Sequence, residues 1–253
     1  MTDFRDLHVP GNPLVLVNAW DAASACLVEA AGAAAIGTTS AGVAWSLGRP
    51  DGDALELAAA VAAVERIVAA VAVPVTADIE KGYGDVAETV RRIRAAGAAG
   101  VNIEDGSTAR PDRIAAARAA APDLFLNARI DTFLAGVGGL DETIERATAY
   151  LAAGADGIFV PGVTDPETVA ALVQRIAAPI NVMAGPGAPT IAELAKLGVA
   201  RVSLGSSVAQ AAYGLVRRVA ETVLRTGGYH ELAGAEDYGV LNALLKPGAS
   251  GRG

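Results

Sequence analysis

Residues 95–106, AAGAAGVNIEDG, decide the fold. Alanines suited to a helix end lead into Gly97, which can adopt the left-handed backbone that closes helices. A short apolar run then ends on two acids. The same order of helix end, glycine and strand returns at AAGAAAIG (30–37), AAGADGIFV (152–160) and KLGVARVSLG (196–205). Working outward, strand-like runs stand at LVLVNAW (14–20), AAIGTTS (34–40), VPVTADIE (73–80), GVNIEDG (100–106), LFLNARID (124–131), GIFVPG (157–162), INVMAGP (180–186) and RVSLGSS (201–207). Alanine-rich stretches with helical spacing lie between them, several opening on Asp, Thr or Pro-Glu and closing on Gly. Eight such units predict an α/β (β/α)8 barrel, a TIM barrel whose strands are buried on both faces and whose helices wrap the outside. A doubly wound open sheet is the runner-up, disfavoured by the unit count and by the lack of GxGxxG after the first strand. No linker divides the chain, so one barrel domain is expected over residues 1–245, with 246–253 as a frayed tail.

Composition narrows the function. The 253 residues carry a formal charge of −8, with Lys and Arg scattered, which disfavours a nucleic-acid partner. Hydrophobic residues reach 52%, but no apolar run approaches the roughly 18 residues of a membrane span. The acidic amino terminus lacks the basic and apolar regions of a signal peptide, so a soluble cytoplasmic protein is expected. The single cysteine, Cys26, excludes an internal disulfide and reads as a small buried hydrophobe. His8 and His230 lie near the termini and read as surface or interface residues.

In such barrels chemistry gathers where the strands end. The polar residues of this chain fall there: Asn18, Trp20 and Asp21; Thr38, Thr39 and Ser40; Asp78 and Glu80; Asn102, Glu104 and Asp105; Asn127, Arg129 and Asp131. Asn181 and Ser203 add less. Asp78 and Glu80 are two apart, so in a strand they share a face. With Glu104 on the adjacent strand, three carboxylates would meet in one mouth and repel one another unless a cation intervenes. Hard oxygen ligands without histidine point to Mg²⁺ or Mn²⁺. The competing reading is that these acids cap the following helices and face solvent. Arg129, on an apolar strand, needs an anionic partner: a substrate carboxylate or phosphonate, or Asp131 or Glu104.

Six segments together, NAWDAASACLVEAAG (18–32), GTTSAGVAWSLGRPD (37–51), ADIEKGYGD (77–85), GVNIEDG (100–106), NARIDTFL (127–134) and GADGIFVPG (154–162), resemble the isocitrate lyase/phosphoenolpyruvate mutase superfamily. The resemblance covers essentially the whole chain. It implies Mg²⁺ (or Mn²⁺), a small 2-oxo or 2-hydroxy acid substrate, and a homodimer or homotetramer, with a carboxyl-terminal helix exchanged between subunits. The family's SLGxPD segment matches Ser46 to Asp51, placing Asp51 near the reacting centre. Its DxDxGYG signature appears as Asp78, Ile79, Glu80, Lys81, Gly82, Tyr83 and Gly84, with Glu in place of the second Asp. Its ED pair maps to Glu104 and Asp105, and its substrate-clamping AR pair to Ala128 and Arg129.

The resemblance therefore implies Asp78, Glu80 and Glu104 as metal-holding residues, and Asp51, Arg129 and Tyr83 as catalytic candidates. Trp20, Thr39, Ser40, Ala41, Arg129 and Asn181 are substrate-binding candidates, the amides around Ser40 and Ala41 resembling an anion pocket. The departures are informative. Lyases of the family carry a K-x-C-G-H lid after strand four, and here that stretch is GSTARPDRIAAARAAAP (106–122), without Cys, His or Lys. Phosphonate-cleaving members place a histidine where Pro161 stands. The expected activity is a Mg²⁺-dependent carbon-carbon lyase or decarboxylase acting on a small 2-oxo or 2-hydroxy dicarboxylate through a pyruvate-type enolate. The alternatives are phosphonopyruvate-type carbon-phosphorus cleavage and a non-catalytic 2-oxo acid binder.

Overall fold

In the computed structural model, residues 3–246 are described. Eight strands, β1 (Leu14–Leu16), β2 (Ile36–Gly37), β3 (Val75–Asp78), β4 (Gly100–Glu104), β5 (Phe125–Arg129), β6 (Gly157–Val160), β7 (Ile180–Met183) and β8 (Arg201–Ser203), run parallel in the order β1-β8-β7-β6-β5-β4-β3-β2. The two ends of that order meet just beyond the strands. Ala19 N donates to Gly37 O at 2.8 Å and Thr39 N to Ala19 O at 3.0 Å, so the sheet closes into a cylinder. Every strand lies within the run read for it from the sequence.

The helices are α1 (Ala22–Ala30), α2 (Ser40–Ser46), α3 (Leu57–Ala70), α4 (Val86–Ala95), α5 (Pro111–Ala120), α6 (Thr132–Ala135), α7 (Gly139–Ala152), α8 (Pro166–Arg175), α9 (Ile191–Lys196), α10 (Ser207–Thr226) and α11 (Tyr238–Leu244). Their starts follow local chemistry. Asp21 and Ser24 form a capping box on α1, as do Thr190 and Glu193 on α9, while the Asp85 carboxylate accepts from the amides of Ala87 and Glu88. Asp85 thus caps the helix whose stretch it opens in the sequence. At the other end of α4, Gly97 has φ +92°, and a Cβ there would stand 2.9 Å from Val68. Only glycine allows both the turn and the close packing of α4 on α3. Helix α3 buries Ala60, Val61, Val64, Ile67 and Val68, one stripe at helical spacing, against the outside of the sheet.

The lumen is stratified. At the amino-terminal end Phe4, Leu14, Leu16, Ala35 and Phe125 form a separate apolar cluster. His8 stacks on the Phe125 ring at 4.0 Å between centroids. His8 is therefore buried, not a surface residue, because the chain before β1 folds back beneath the barrel and closes it. Above this plug, Asn127 Nδ2 donates to Asn102 Oδ1 at 2.9 Å and to Asn181 Oδ1 at 3.0 Å. Arg201 leaves β8 and its Nη2 reaches Asn102 Oδ1 at 3.0 Å on the opposite wall, so its guanidinium crosses the lumen. Helix α10 buries only Ala209 and Thr222 and leaves Leu215, Val216 and Leu224 exposed, while α11 lies against α1. Of the tail read at 246–253, residues 247–253 lie outside the described residues. Among the described residues no helix is long and apolar enough to cross a membrane.

Candidate active site

Strand β3 ends on Asp78, which faces the amino terminus of α2. Ser40 Oγ donates to Asp78 Oδ2 at 3.0 Å, and Thr38 Oγ1 accepts from Asp78 N at 2.9 Å. The close approach of β1 and α2 that sets this geometry depends on Gly42, where a Cβ would lie 2.8 Å from both Thr39 Cγ2 and Trp20 Cβ. Thr39 caps α2, Ala41 is buried in it, and Trp20 packs against its apolar face. These candidate substrate residues form the wall behind Asp78.

Beyond Asp78 the strand stops. Glu80 has φ +50°, followed by Gly82 at +97°, Tyr83 at +45° and Gly84 at +92°. The turn breaks the alternation that would have set Glu80 beside Asp78 on one strand face. Glu80 is instead buried with Oε2 accepting from Asp53 N, on the loop between α2 and α3, while its Oε1 has no hydrogen-bond partner. Burial first, and then the charges of Asp51, Asp53 and Asp78, push the Glu80 carboxyl above the usual carboxylate range, against the Asp53 amide. Two non-glycine residues in a left-handed turn store backbone strain next to the site. Lys81, at the apex, extends its ammonium between Asp53 Oδ2 at 4.0 Å and Glu104 Oε1 at 3.9 Å.

Strands β4 and β5 pair Glu104 with Arg129 in register. Glu104 Oε2 lies 2.9 Å from Arg129 Nη1, and Arg129 Nε donates to Asp131 at 2.7 Å. The guanidinium lies over the Phe159 ring at 6.0 Å. Burial and the charges of Asp78 and Asp131 push Glu104 up to about 7, although Arg129 and Lys81 oppose the shift. Burial would lower Arg129, but Glu104, Asp78 and Asp131 together hold it above its ordinary value. Asp78 ends β3, the strand next to β4, so the three side chains stand at the same end of neighbouring strands.

Asp105, the second acid of the ED pair, has a different task. It accepts from Asp131 N at 3.0 Å, Arg146 Nη1 at 3.0 Å and Tyr150 Oη at 2.7 Å, and is buried. Tyr150 Oη in turn accepts from Arg110 N at 2.9 Å. Asp105 therefore pins the shortened loop after β4 and the segment bearing Asp131 to α7. It holds the mouth's floor and wall without facing its interior.

Two candidates are engaged in structural contacts beneath the mouth. Asn181 is buried in the lumen, its amide donating to Val182 O at 2.8 Å and Ser203 Oγ at 3.2 Å, so it is spent on the ladder beneath the site. Tyr83 packs against Val43, Ala44 and Leu55 under the α2–α3 loop. Burial and the charges of Glu80 and Asp78 raise its pKa far above that of free tyrosine, the wrong direction for a proton donor. Asp51 is exposed on the loop whose Asp53 binds Glu80. Sequence reasoning missed Asp53, the position of Lys81, and Arg201. Arg201 is 1% exposed with Nε and Nη1 unpartnered, and burial lowers its pKa against the opposing charge of Asp78. Its signal was a charge two residues before Ser203 on an otherwise apolar strand.

Whether the residues suit a divalent ion can be tested on their own chemistry. Among the described residues no three His, Cys, Asp or Glu side chains are gathered to enclose an ion, so the expected three-carboxylate cage is not formed. Ser40 engages Asp78, Asp53 engages Glu80, and Arg129 with Lys81 engages Glu104. The donor set nevertheless fits a hydrated hard cation. Glu80 Oε1 and Asp53 Oδ1 are buried without partners, and Glu80 and Glu104 are both shifted upward. An ion held through one carboxylate and bridging water would satisfy them.

The chain as a whole is similar to known proteins. The family model for phosphoenolpyruvate phosphomutase matches residues 4–224. The chain is 37% identical over 185 residues to the 2-methylisocitrate lyase of Escherichia coli, covering 64% of this chain and 62% of that one. A crystal structure of a lyase or mutase from Burkholderia cenocepacia superposes with a TM-score of 0.90 at 39% identity, covering 98% of this chain and 96% of that one. A phosphonopyruvate hydrolase in complex with oxalate and Mg²⁺ superposes with a TM-score of 0.83 at 28% identity, covering 97% and 95%.

Proposed function

The chain belongs to the phosphoenolpyruvate phosphomutase family of the isocitrate lyase/PEP mutase superfamily, whose members include lyases and mutases of small carboxylates, and from that membership we propose that it is a Mg²⁺-dependent lyase. Its substrate is a small 2-oxo or 2-hydroxy dicarboxylate, cleaved at a carbon-carbon bond or decarboxylated to a pyruvate-type enolate. The observation that carries this reading is Arg129. It stands at the end of β5 with its side chain 21% exposed, Nε on Asp131 and Nη1 on Glu104.

Arg129 receives the substrate's C1 carboxylate and fixes its plane, which removes orientational freedom before the bond at C3 breaks. Glu104 and Asp131 hold the guanidinium still, and Phe159 covers one face of it. Asp78 would hold the ion directly, with Glu80 and Glu104 through water. An ion held there would supply positive charge to offset the negative charge that develops on the C2 oxygen. Ser40 orients Asp78. With no Cys, His or Lys in the loop after β4, removal of carbon dioxide suits the site best, because that leaving group takes no proton. Asp51, exposed on the loop that carries Asp53, is the candidate for acid work at the rim.

A homodimer or homotetramer is part of the same proposal, supported by the apolar residues exposed along α10, including Leu215, Val216 and Leu224. The test incubates purified protein and Mg²⁺ with a panel of 2-oxo and 2-hydroxy diacids while following pyruvate or glyoxylate. Phosphate released from phosphonopyruvate, with no turnover of the diacids, replaces this reading with carbon-phosphorus cleavage. Thermal stabilisation by these acids without any turnover replaces it with a binding protein.

A further inference from the structure

We infer that Lys81 binds the substrate's second carboxylate and so selects dicarboxylates over 2-oxo and 2-hydroxy monoacids. This rests on the reading above, in which Arg129 takes the first carboxylate. The mouth contains Asp53, Asp78, Glu80, Glu104 and Asp131, so a second substrate carboxylate is repelled unless a cation meets it. Arg129 is already held on two sides, by an ion pair to Glu104 and a hydrogen bond to Asp131. Lys81 differs. Its ammonium is 3.9 Å from Glu104 and 4.0 Å from Asp53, beyond hydrogen-bonding distance, and it donates to no group among the described residues. The side chain is 45% exposed, leaving its donors open to an incoming anion.

The spacing also fits. The two oxygens of Glu104 point at the two cations, Oε2 at Arg129 and Oε1 at Lys81, so the charges flank a single carboxylate. Two cations that share one carboxylate lie near enough to each other for one short diacid to meet both. The left-handed backbone at Glu80 turns Glu80 down onto Asp53 and brings Lys81 over the opening, and Lys81 lies close along Gly106. The strained turn that removes Glu80 from the strand face is what delivers the lysine.

The test compares malate with lactate, and oxaloacetate with pyruvate, pairs that differ by one carboxylate. Calorimetric binding with Mg²⁺ is measured for wild type, Lys81→Met, Lys81→Arg and Lys81→Glu, and turnover of oxaloacetate is followed in parallel. Lys81→Met should weaken malate binding by about tenfold to a hundredfold, the range for a lost charged hydrogen bond, and leave lactate unchanged. Lys81→Arg should recover part of the difference, and Lys81→Glu should make lactate the better ligand. Equal weakening of both acids, or of neither, overturns the assignment, even if oxaloacetate is turned over. A lysine-dependent preference for malate without turnover of any diacid leaves the assignment standing and removes the lyase reading. Wild type that binds neither acid and turns over nothing removes both.

Discussion

The two ends of the barrel solve opposite problems. The amino-terminal end is filled by Phe4, Leu14, Leu16 and Phe125, with His8 stacked in as a neutral ring, its pKa lowered to about 4 by burial and then by Arg201. The carboxyl end holds acids whose carboxyls rise above their ordinary range because burial, and then neighbouring like charges, disfavour their ionised form. One end gains stability from packing. The other gives up stability to keep charge where a ligand can use it.

Substitutions that separate chemistry from stability test this contrast most directly. Asp78→Ala should abolish metal-dependent activity, by about 10³-fold or more in kcat/KM, while shifting unfolding free energy by no more than about 1 kcal/mol. Turnover assays and denaturant titration read the two quantities. Unchanged metal affinity in that variant would contradict the proposed site. At the opposite end, Phe125→Ala should cost about 3–5 kcal/mol of stability by leaving a cavity under the barrel, with KM for a diacid nearly unchanged in the folded fraction. A comparable loss from Asp78→Ala would erase the division between the ends.

The plug also makes a pH prediction. His8 falls from 6.5 when unfolded to about 4 when folded, so its contribution is complete above about pH 6.5 and disappears as pH drops toward 4. The shift corresponds to about 3 kcal/mol. Equilibrium unfolding across that window should show the loss in wild type and a flatter curve for His8→Phe. Parallel curves would remove His8 from the account. The smallest effect belongs to the mouth: Glu80→Gln should raise stability by about 1 kcal/mol without Mg²⁺, since it removes a crowded buried charge. It should also reduce the stabilisation that Mg²⁺ gives to wild type. Thermal melts with and without the ion would show both.

The contrast between the ends also marks how far the sequence could be read. Strand order, the helix caps at Asp21, Asp85 and Thr190, and the mouth itself are local matters. An apolar run of 4–5 residues buried on two faces, such as β4 or β5, carries its own signature, and polar residues at its end mark the exit. Arg129 and Glu104 were legible because a charge on a buried strand must find a partner across the nearest register. Glu80 was not, because strand alternation fails where the backbone turns left-handed. Nor was Asn181, since alternation places it inside without saying whether inside means lumen or mouth.

The residues by themselves determined an eight-unit parallel barrel of one superfamily, with acids and an arginine at its strand ends, because short-range spacing and capping act within a few residues of chain. Tertiary structure alone decided the rest. His8 seals the base, Arg201 spans the lumen from β8 to Asn102, and Lys81 stands between Asp53 and Glu104. Such contacts join positions far apart in sequence, and their geometry exists only once the cylinder has closed.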